Sequence, residues 1–253
     1  MGLFDAIKNA VAEKECSICG SDAGRVFAKK LEDGFLCKEC ADKLSPWFSD
    51  RRSSTVAQIQ EQLDYREANK AAVEAFNVTK TLNGNYKVLV DEDNGNFIVT
   101  RASNWRSANP DVIPLSAVTG CTYEVEETKR DVTPEPEHKE GEPEPEPIPM
   151  SQHIFEYDYD FNITINVNHK YFDEISYQVN DTNVEQRYSV EYNRWRDTCE
   201  EIKECLCAAR TESRAAAAAA AAPKIAKQCP YCGATTFPDA SGCCEYCGGA
   251  MGV

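Results

Sequence analysis

Eight of the chain's 13 cysteines fall into four Cys-x2-Cys pairs, and their chemistry is metal binding. Two thiolates three positions apart in a tight turn point at one ion, and a second such turn closes a tetrahedral shell around it. Cys16 and Cys19 pair in this way with Cys37 and Cys40, and Cys229 and Cys232 with Cys244 and Cys247. Glycines follow Cys19, Cys232 and Cys247, and Asp33-Gly34 supplies the turn leading back to the second pair. Cys243 competes with Cys244, but only Cys244 keeps the x2 spacing, so Cys243 reads as a spare. The expectation is two structural Zn2+ ions, each in its own four-cysteine site.

Other chemistry fits these residues less well. A lone Cys-x2-Cys also serves as a redox dithiol, but two paired turns per module argue for a metal. A RING-type cross-brace needs two sites interleaved over one short segment. A catalytic zinc keeps an open position and usually takes histidine. The three histidines, His138, His153 and His169, have no ligand spacing to any cysteine pair; His138 falls in an acidic stretch and the others at strand ends. Cys199 shares an apolar helical face, Cys205 flanks it and Cys207 faces solvent, so helical offsets scatter these sulfurs and give no third site. The carboxylates come in surface strings rather than as an isolated pair in an apolar setting, and no phosphate loop or nucleophile elbow appears. The reading is therefore not an enzyme, with no small-molecule substrate.

Charge narrows the partners. The formal net charge is -15, from 42 acidic and 27 basic residues, the opposite of the footprint that phosphate neutralisation leaves. In the last module Lys224 and Lys227 balance Asp239 and Glu245, so nucleic acid is disfavoured there too. Arg51 and Arg52 beside Trp47 and Phe48 offer base stacking, although these two aromatics are better placed to cover the first cysteine site. No run approaches the roughly 20 apolar residues of a membrane span, and residues 1–15 carry too many charges for a secretory signal. That places the thiols in the reducing cytoplasm. Gly2 lacks the favoured Ser or Thr at position six, which is Ala6.

The elements that must position these groups follow from periodicity. Leu3, Phe4, Ile7 and Val11 give an amphipathic helix over 1–12. A cysteine knuckle spans 13–48. A linking helix lies within 49–76, with Val56, Ile59, Leu63 and the Ala71–Val73 region on one face. The strands Tyr86–Val90 and Phe97–Thr100 flank Asn94-Gly95, a hairpin signal, and Cys121–Glu126 is a further strand. Residues 134–147 are acidic and proline-rich, an exposed insertion. From Phe155 to Val167 apolar and polar residues alternate strictly, one long or bulged strand with one buried face. Ile175, Tyr177 and Val179 repeat the pattern. Trp195, Cys199, Ile202, Leu206 and Ala209 then share a helical face. Eight alanines, 215 to 222, extend that helix or make a semi-rigid helical spacer within 211–226; Pro223 ends the helix, before a glycine-rich cysteine module at 227–253.

Residues 16–48, with CSICG and LEDGFLCKECADKLSPWF, resemble a bacterial domain-of-unknown-function family. The segments KVLVDEDNGNFIVTR, NPDVIPLSAVTGCTYEVEE, HKYFDEISYQVN and EYNRWRDTCEEIKECL extend the resemblance over most of residues 1–210. The strand block over 77–210 is similar to pleckstrin-homology (PH) or GRAM-like domains, and the tail resembles a zinc ribbon. The resemblance implies an α+β fold: a zinc knuckle, a PH-like partly closed β-barrel capped by a C-terminal helix, and a ribbon, with no activity assigned. Asp91, Glu92 and Asp93 stand where a phosphoinositide-binding PH domain carries basic residues, which argues against headgroup binding. The function expected is a non-enzymatic protein-interaction adaptor, joining two weak contacts on one chain. The alternatives are a peripheral membrane protein using helix 1–12 and a nucleic-acid-binding regulator acting through the ribbon.

Overall fold

The computed structural model describes residues 15–24, 27–134, 148–221, 226–237 and 242–251. Helix 1–12, and the acidic insertion beyond Pro134 with its His138, lie outside the described residues. The chain divides into two units, Met1–Thr211 and Glu212–Val253.

In the first unit, strands β1 (Lys29–Lys30) and β2 (Phe35–Leu36) pair antiparallel around Asp33-Gly34, and helix α1 (Lys38–Ala41) follows. Leu31, Leu36, Leu44 and Ile59 close a small core around Cys16, Cys37 and Cys40. A 3-10 turn at Asp50–Ser53 leads to helix α2 (Val56–Ala75). The linking helix therefore starts at Val56, where Thr55 and Gln58 form a reciprocal capping box. Its buried stripe is Ile59, Gln62, Arg66, Asn69 and Val73 rather than the apolar face expected; Ala71 and Ala72 are exposed. The surface opposite is polar, and it takes Arg66 and Asn69 in hydrogen bonds.

Strands β3 (Lys80–Leu82), β4 (Lys87–Asp91) and β5 (Asn96–Thr100), helix α3 (Trp105–Ala108) and strand β6 (Ile113–Pro114) come next. The four strands form one antiparallel sheet in the order β3-β4-β5-β6. The Asn94-Gly95 hairpin forms as expected, with Gly95 at φ +65°. Strands β7 (Val118–Asp131), β8 (Phe155–Val167) and β9 (Glu174–Gln178) form a second antiparallel sheet. The alternation in β8 carries through to burial: Tyr159, Phe161, Ile163, Ile165 and Val167 are buried and the residues between them are not. Strand β7 runs well past the Cys121–Glu126 expected, because every residue from Thr122 to Asp131 finds a partner on β8. At the neck of this hairpin the Val132 amide donates to the Ile154 carbonyl at 2.9 Å, and His153 Nδ1 meets the Asp131 carboxylate.

Helix α4 (Val190–Ala221) lays Trp195, Cys199, Ile202 and Leu206 onto a core shared with Val88, Val90 and Phe97 of one sheet and Phe161, Ile163 and Ile175 of the other. Its alanine run stays helical as far as Ala221. Among the described residues no ladder joins the two sheets, and no closed barrel is found. Pro114, which has no amide hydrogen, ends two-residue β6, and a 3-10 turn at Leu115–Ala117 redirects the chain before β7. Trp47 also departs from expectation. It packs against the sheet core beside Tyr86 and Tyr177, leaving Phe48 to cover the knuckle. Cys207 is half-buried against the same core rather than exposed.

In the second unit β10 (Lys227–Gln228) pairs antiparallel with β11 (Thr235–Thr236), and Cys243 bridges to Ala250. Among the described residues there, the buried apolar side chains are Cys229, Cys244 and Met251.

Candidate metal centres

Three of the four cysteine pairs use one backbone design. The Cys16 amide donates to the Ser21 carbonyl and the Gly20 amide returns to the Cys16 carbonyl, both at 2.8 Å. Cys229 with Ala234 and Gly233, and Cys244 with Gly249 and Gly248, repeat the two bonds at 2.8–2.9 Å. The returning glycine sits at φ +72°, +76° and +68° in the three turns, the left-handed region that glycine enters without penalty. A Cys-x2-Cys-Gly string is thus a closed turn that aims both sulfurs to one side. It also settles the competition between neighbours: the turn starts at Cys244, while Cys243 belongs to the bridge with Ala250.

The fourth pair is built differently. Cys37 is the N-cap of α1, its Sγ accepting from the Cys40 amide at 3.4 Å, so both thiols sit at the positive end of a helical turn. No glycine follows Cys40, because the chain continues as helix. Ser17 holds the two halves together: its amide donates to the Phe35 carbonyl at 2.8 Å and its Oγ accepts from the Phe35 amide at 3.2 Å. Gly34 lets them approach, since a Cβ there would stand 2.4 Å from Ser17 Oγ and 2.9 Å from Val56 Cγ2.

These turns bring the expected residues together in two tetrads, Cys16, Cys19, Cys37 and Cys40, and Cys229, Cys232, Cys244 and Cys247, with all sulfurs of a tetrad within 4.8 Å of one another. Cross-pair separations are 3.7 Å for Cys19–Cys37, 3.5 Å for Cys229–Cys247 and 3.7 Å for Cys232–Cys244. A tetrahedron with metal–sulfur bonds near 2.3 Å has edges of roughly 3.8 Å, so one ion fits each tetrad. The surroundings of the thiols pull their acidities apart within each tetrad. Hydrogen bonds from Ser21 pull Cys19 down to about 6, and the Cys232 amide pulls Cys229 down to about 6. Burial, then the neighbouring cysteines, push Cys40 up. The Gly249 amide favours the Cys247 thiolate, but hydrogen bonds with Cys232 and Cys229 outweigh it and push Cys247 up to about 12. Four thiols this close ionise at one another's expense until a divalent charge is shared among them. Among the described residues no other group of histidines, cysteines or carboxylates is arranged to hold a metal.

Residues that carry no recognisable motif anchor the first tetrad to the sheets. Arg66 on α2 donates to Asp111 Oδ1 at 2.8 Å and to the Lys43 carbonyl at 3.2 Å, just past α1, and also reaches the Asn109 carbonyl. Ser45 Oγ donates to the other Asp111 oxygen at 2.8 Å. Asn69 spans the same segment, donating to the Pro110 carbonyl and accepting from the Val112 amide. Arg66 and Asp111 are both buried. The periodicity of α2 could not reveal them, since the stripe they occupy is polar.

The ribbon shows its aromatic side chains to solvent. Tyr231 and Tyr246 occupy the same place in their two turns and are 73% and 74% exposed, with Phe237 51% exposed. Tyr231 is held across the opposite turn: a Cβ on Gly249 would lie 2.6 Å from its ring. By contrast Asp91, expected in an acidic surface string, is 1% exposed. It accepts from the Asn77 and Asn94 amides at 2.9 and 3.0 Å, so Glu92 and Asp93 carry that patch.

Residues 14–62 match the model of a domain of unknown function, DUF4428. That stretch covers the first tetrad and the N-terminal part of α2. No curated protein and no solved structure matches the chain.

Proposed function

We propose that the protein is a zinc-stabilised, non-enzymatic adaptor of the cytoplasm that docks other proteins, with the ribbon as one of its contact surfaces. One observation carries the reading. Among its described residues the ribbon buries little apolar surface, yet it turns three large aromatic side chains, Tyr231, Phe237 and Tyr246, toward solvent. Tyrosine and phenylalanine are enriched where protein interfaces gather their binding energy. A metal-held turn presents them rigidly, so little side-chain entropy is lost on docking.

Zinc is the ion of this reading, because four thiolates at tetrahedral spacing suit its size and softness and leave no open position for catalysis. Cys16, Cys19, Cys37 and Cys40 would hold one ion, and Cys229, Cys232, Cys244 and Cys247 the other. Each would supply folding free energy to its module, most of all to the ribbon, whose described residues bury little apolar surface. The PH-like assignment of the sheet body belongs to the proposal as well. It is supported by the order of elements: four antiparallel strands, then three, then one helix across the shared core.

The test is cross-linking affinity capture of the tagged chain from its native cells, with and without nuclease, beside a Tyr231→Ala/Tyr246→Ala variant. A defined protein set that survives nuclease and is lost with the variant is the expected result. Partners that vanish on nuclease treatment, a recovery dominated by lipid and membrane proteins, or a protein set indifferent to the variant would overturn it. Native mass spectrometry of the reduced chain is expected to count two zinc ions.

A further inference from the structure

The two tetrads differ in how they meet solvent. In the first, Cys19 alone is exposed. Its cross-pair neighbour Cys37 caps α1 within a core of Leu31, Leu36, Leu44 and Ile59, and Arg66 fixes the chain just beyond that helix. In the ribbon, two ligands are exposed, Cys232 and Cys247. Each lies against a buried thiol of the opposite turn, Cys232 at 3.7 Å from Cys244 and Cys247 at 3.5 Å from Cys229. Beyond the cysteines, Met251 is the one apolar side chain among the described residues that adds to that core.

From this asymmetry we infer that the ribbon tetrad is a reversible oxidation site for peroxide-class oxidants, while the first tetrad stays reduced and structural. The inference rests on the two-zinc reading above. The exposed Cys232 sulfur attacks one peroxide oxygen; an S–O bond forms, the O–O bond breaks and hydroxide leaves, giving a sulfenic acid. The Cys244 sulfur then attacks Cys232 Sγ, the S–S bond forms, the S–O bond breaks and a second hydroxide leaves. The two sulfurs together lose two electrons, the peroxide gains them, and two protons from solvent convert the hydroxides to water. Cys247 and Cys229 offer the same pair of steps. A disulfide bond of about 2.05 Å requires sulfurs that start 3.5–3.7 Å apart to close by more than 1 Å. A module with this little core yields that movement, whereas Cys37 is held in place by its helix and its packing. Oxidation takes two of the four ligands from the ribbon, and with them its hold on the ion and the rigid seat of Tyr231.

The experiment uses the intact, reduced, zinc-loaded chain. Hydrogen peroxide is titrated in while a chromogenic chelator counts released zinc, and alkylation with peptide mass spectrometry scores each cysteine. The expected result is release of one zinc equivalent as Cys229, Cys232, Cys244 and Cys247 lose alkylation, roughly tenfold faster than any change at Cys16, Cys19, Cys37 or Cys40. Dithiothreitol with added zinc restores the starting state. Simultaneous loss from both tetrads, loss from the first tetrad before the ribbon, or ribbon oxidation that dithiothreitol fails to reverse would overturn the inference. A chain carrying fewer than two zinc ions before oxidant is added would overturn the two-zinc reading itself.

Discussion

Two buried carboxylates do different work in this molecule. Asp111 completes a set of bonds from Arg66 and Ser45 that ties the first cysteine module to the sheets. Removing one partner leaves the other charge buried and unpaired, so Asp111→Ala is expected to destabilise the first unit by about 3–5 kcal/mol in urea unfolding. The paired replacement Arg66→Met/Asp111→Leu is expected to cost less than Asp111→Ala alone, and a larger cost would refute this account of the pair. Asp91 sets a pH dependence. Burial raises its pKa, but the Asn94 side chain and the Asn77 and Asn94 amides outweigh burial, leaving it below the ordinary value. A depressed folded pKa gives stability that is present above the unfolded value near 3.9 and is lost as pH falls through the folded one. Asp91→Asn is therefore expected to be less stable than wild type at pH 7, with the gap closing below about pH 4. A gap that stays constant down to pH 3 would contradict the assignment.

Helix α2 ends on a device the sequence does not advertise. Arg106 of α3 reaches back to the carbonyls of Val73, at 2.6 Å, and Phe76, at 3.0 Å, and its guanidinium lies over the Trp105 ring. It satisfies groups every helix C-terminus leaves open and sets a positive charge at the negative end of the helix. Arg106 is exposed, so Arg106→Ala is expected to cost only about 1 kcal/mol, read by thermal unfolding, with Arg106→Lys falling between. The contrast with β8 shows what a sequence discloses. A strand with one wet face writes its burial into strict alternation, and the Asn94-Gly95 turn and the Cys-x2-Cys-Gly turns are equally local. These were legible, and with them both tetrads. What escaped depends on partners far along the chain. Arg66 is buried because Asp111 stands opposite, Trp47 turns away from the knuckle because Tyr86 and Tyr177 receive it, and β7 is long because β8 is.

At the scale of the whole molecule, the two units stand on different foundations. The first has two sheets and a helix around a continuous apolar core; among the described residues of the second, three apolar side chains are buried, two of them cysteines of the tetrad. Chelation is therefore expected to abolish hydrogen-exchange protection at the amides of Cys229, Gly233, Cys244 and Gly248, while those of Val88–Val90 and Phe161–Ile165 stay protected. Equal loss in both units would show that the first also depends on metal for its core. The neck of the β7–β8 hairpin carries a consequence for engineering. The ladder reaches Asp131 opposite Phe155, with Val132 and Ile154 bonded just outside it. Whatever the chain does between them, it leaves and rejoins the sheet at one fixed point. A flexible connection spanning such a neck would cost only about 0.6 kcal/mol more for each doubling of its length. A flexible insertion between Val132 and Ile154 is therefore expected to leave the stability of the sheet nearly unchanged, which makes this neck a natural point for grafting a foreign segment.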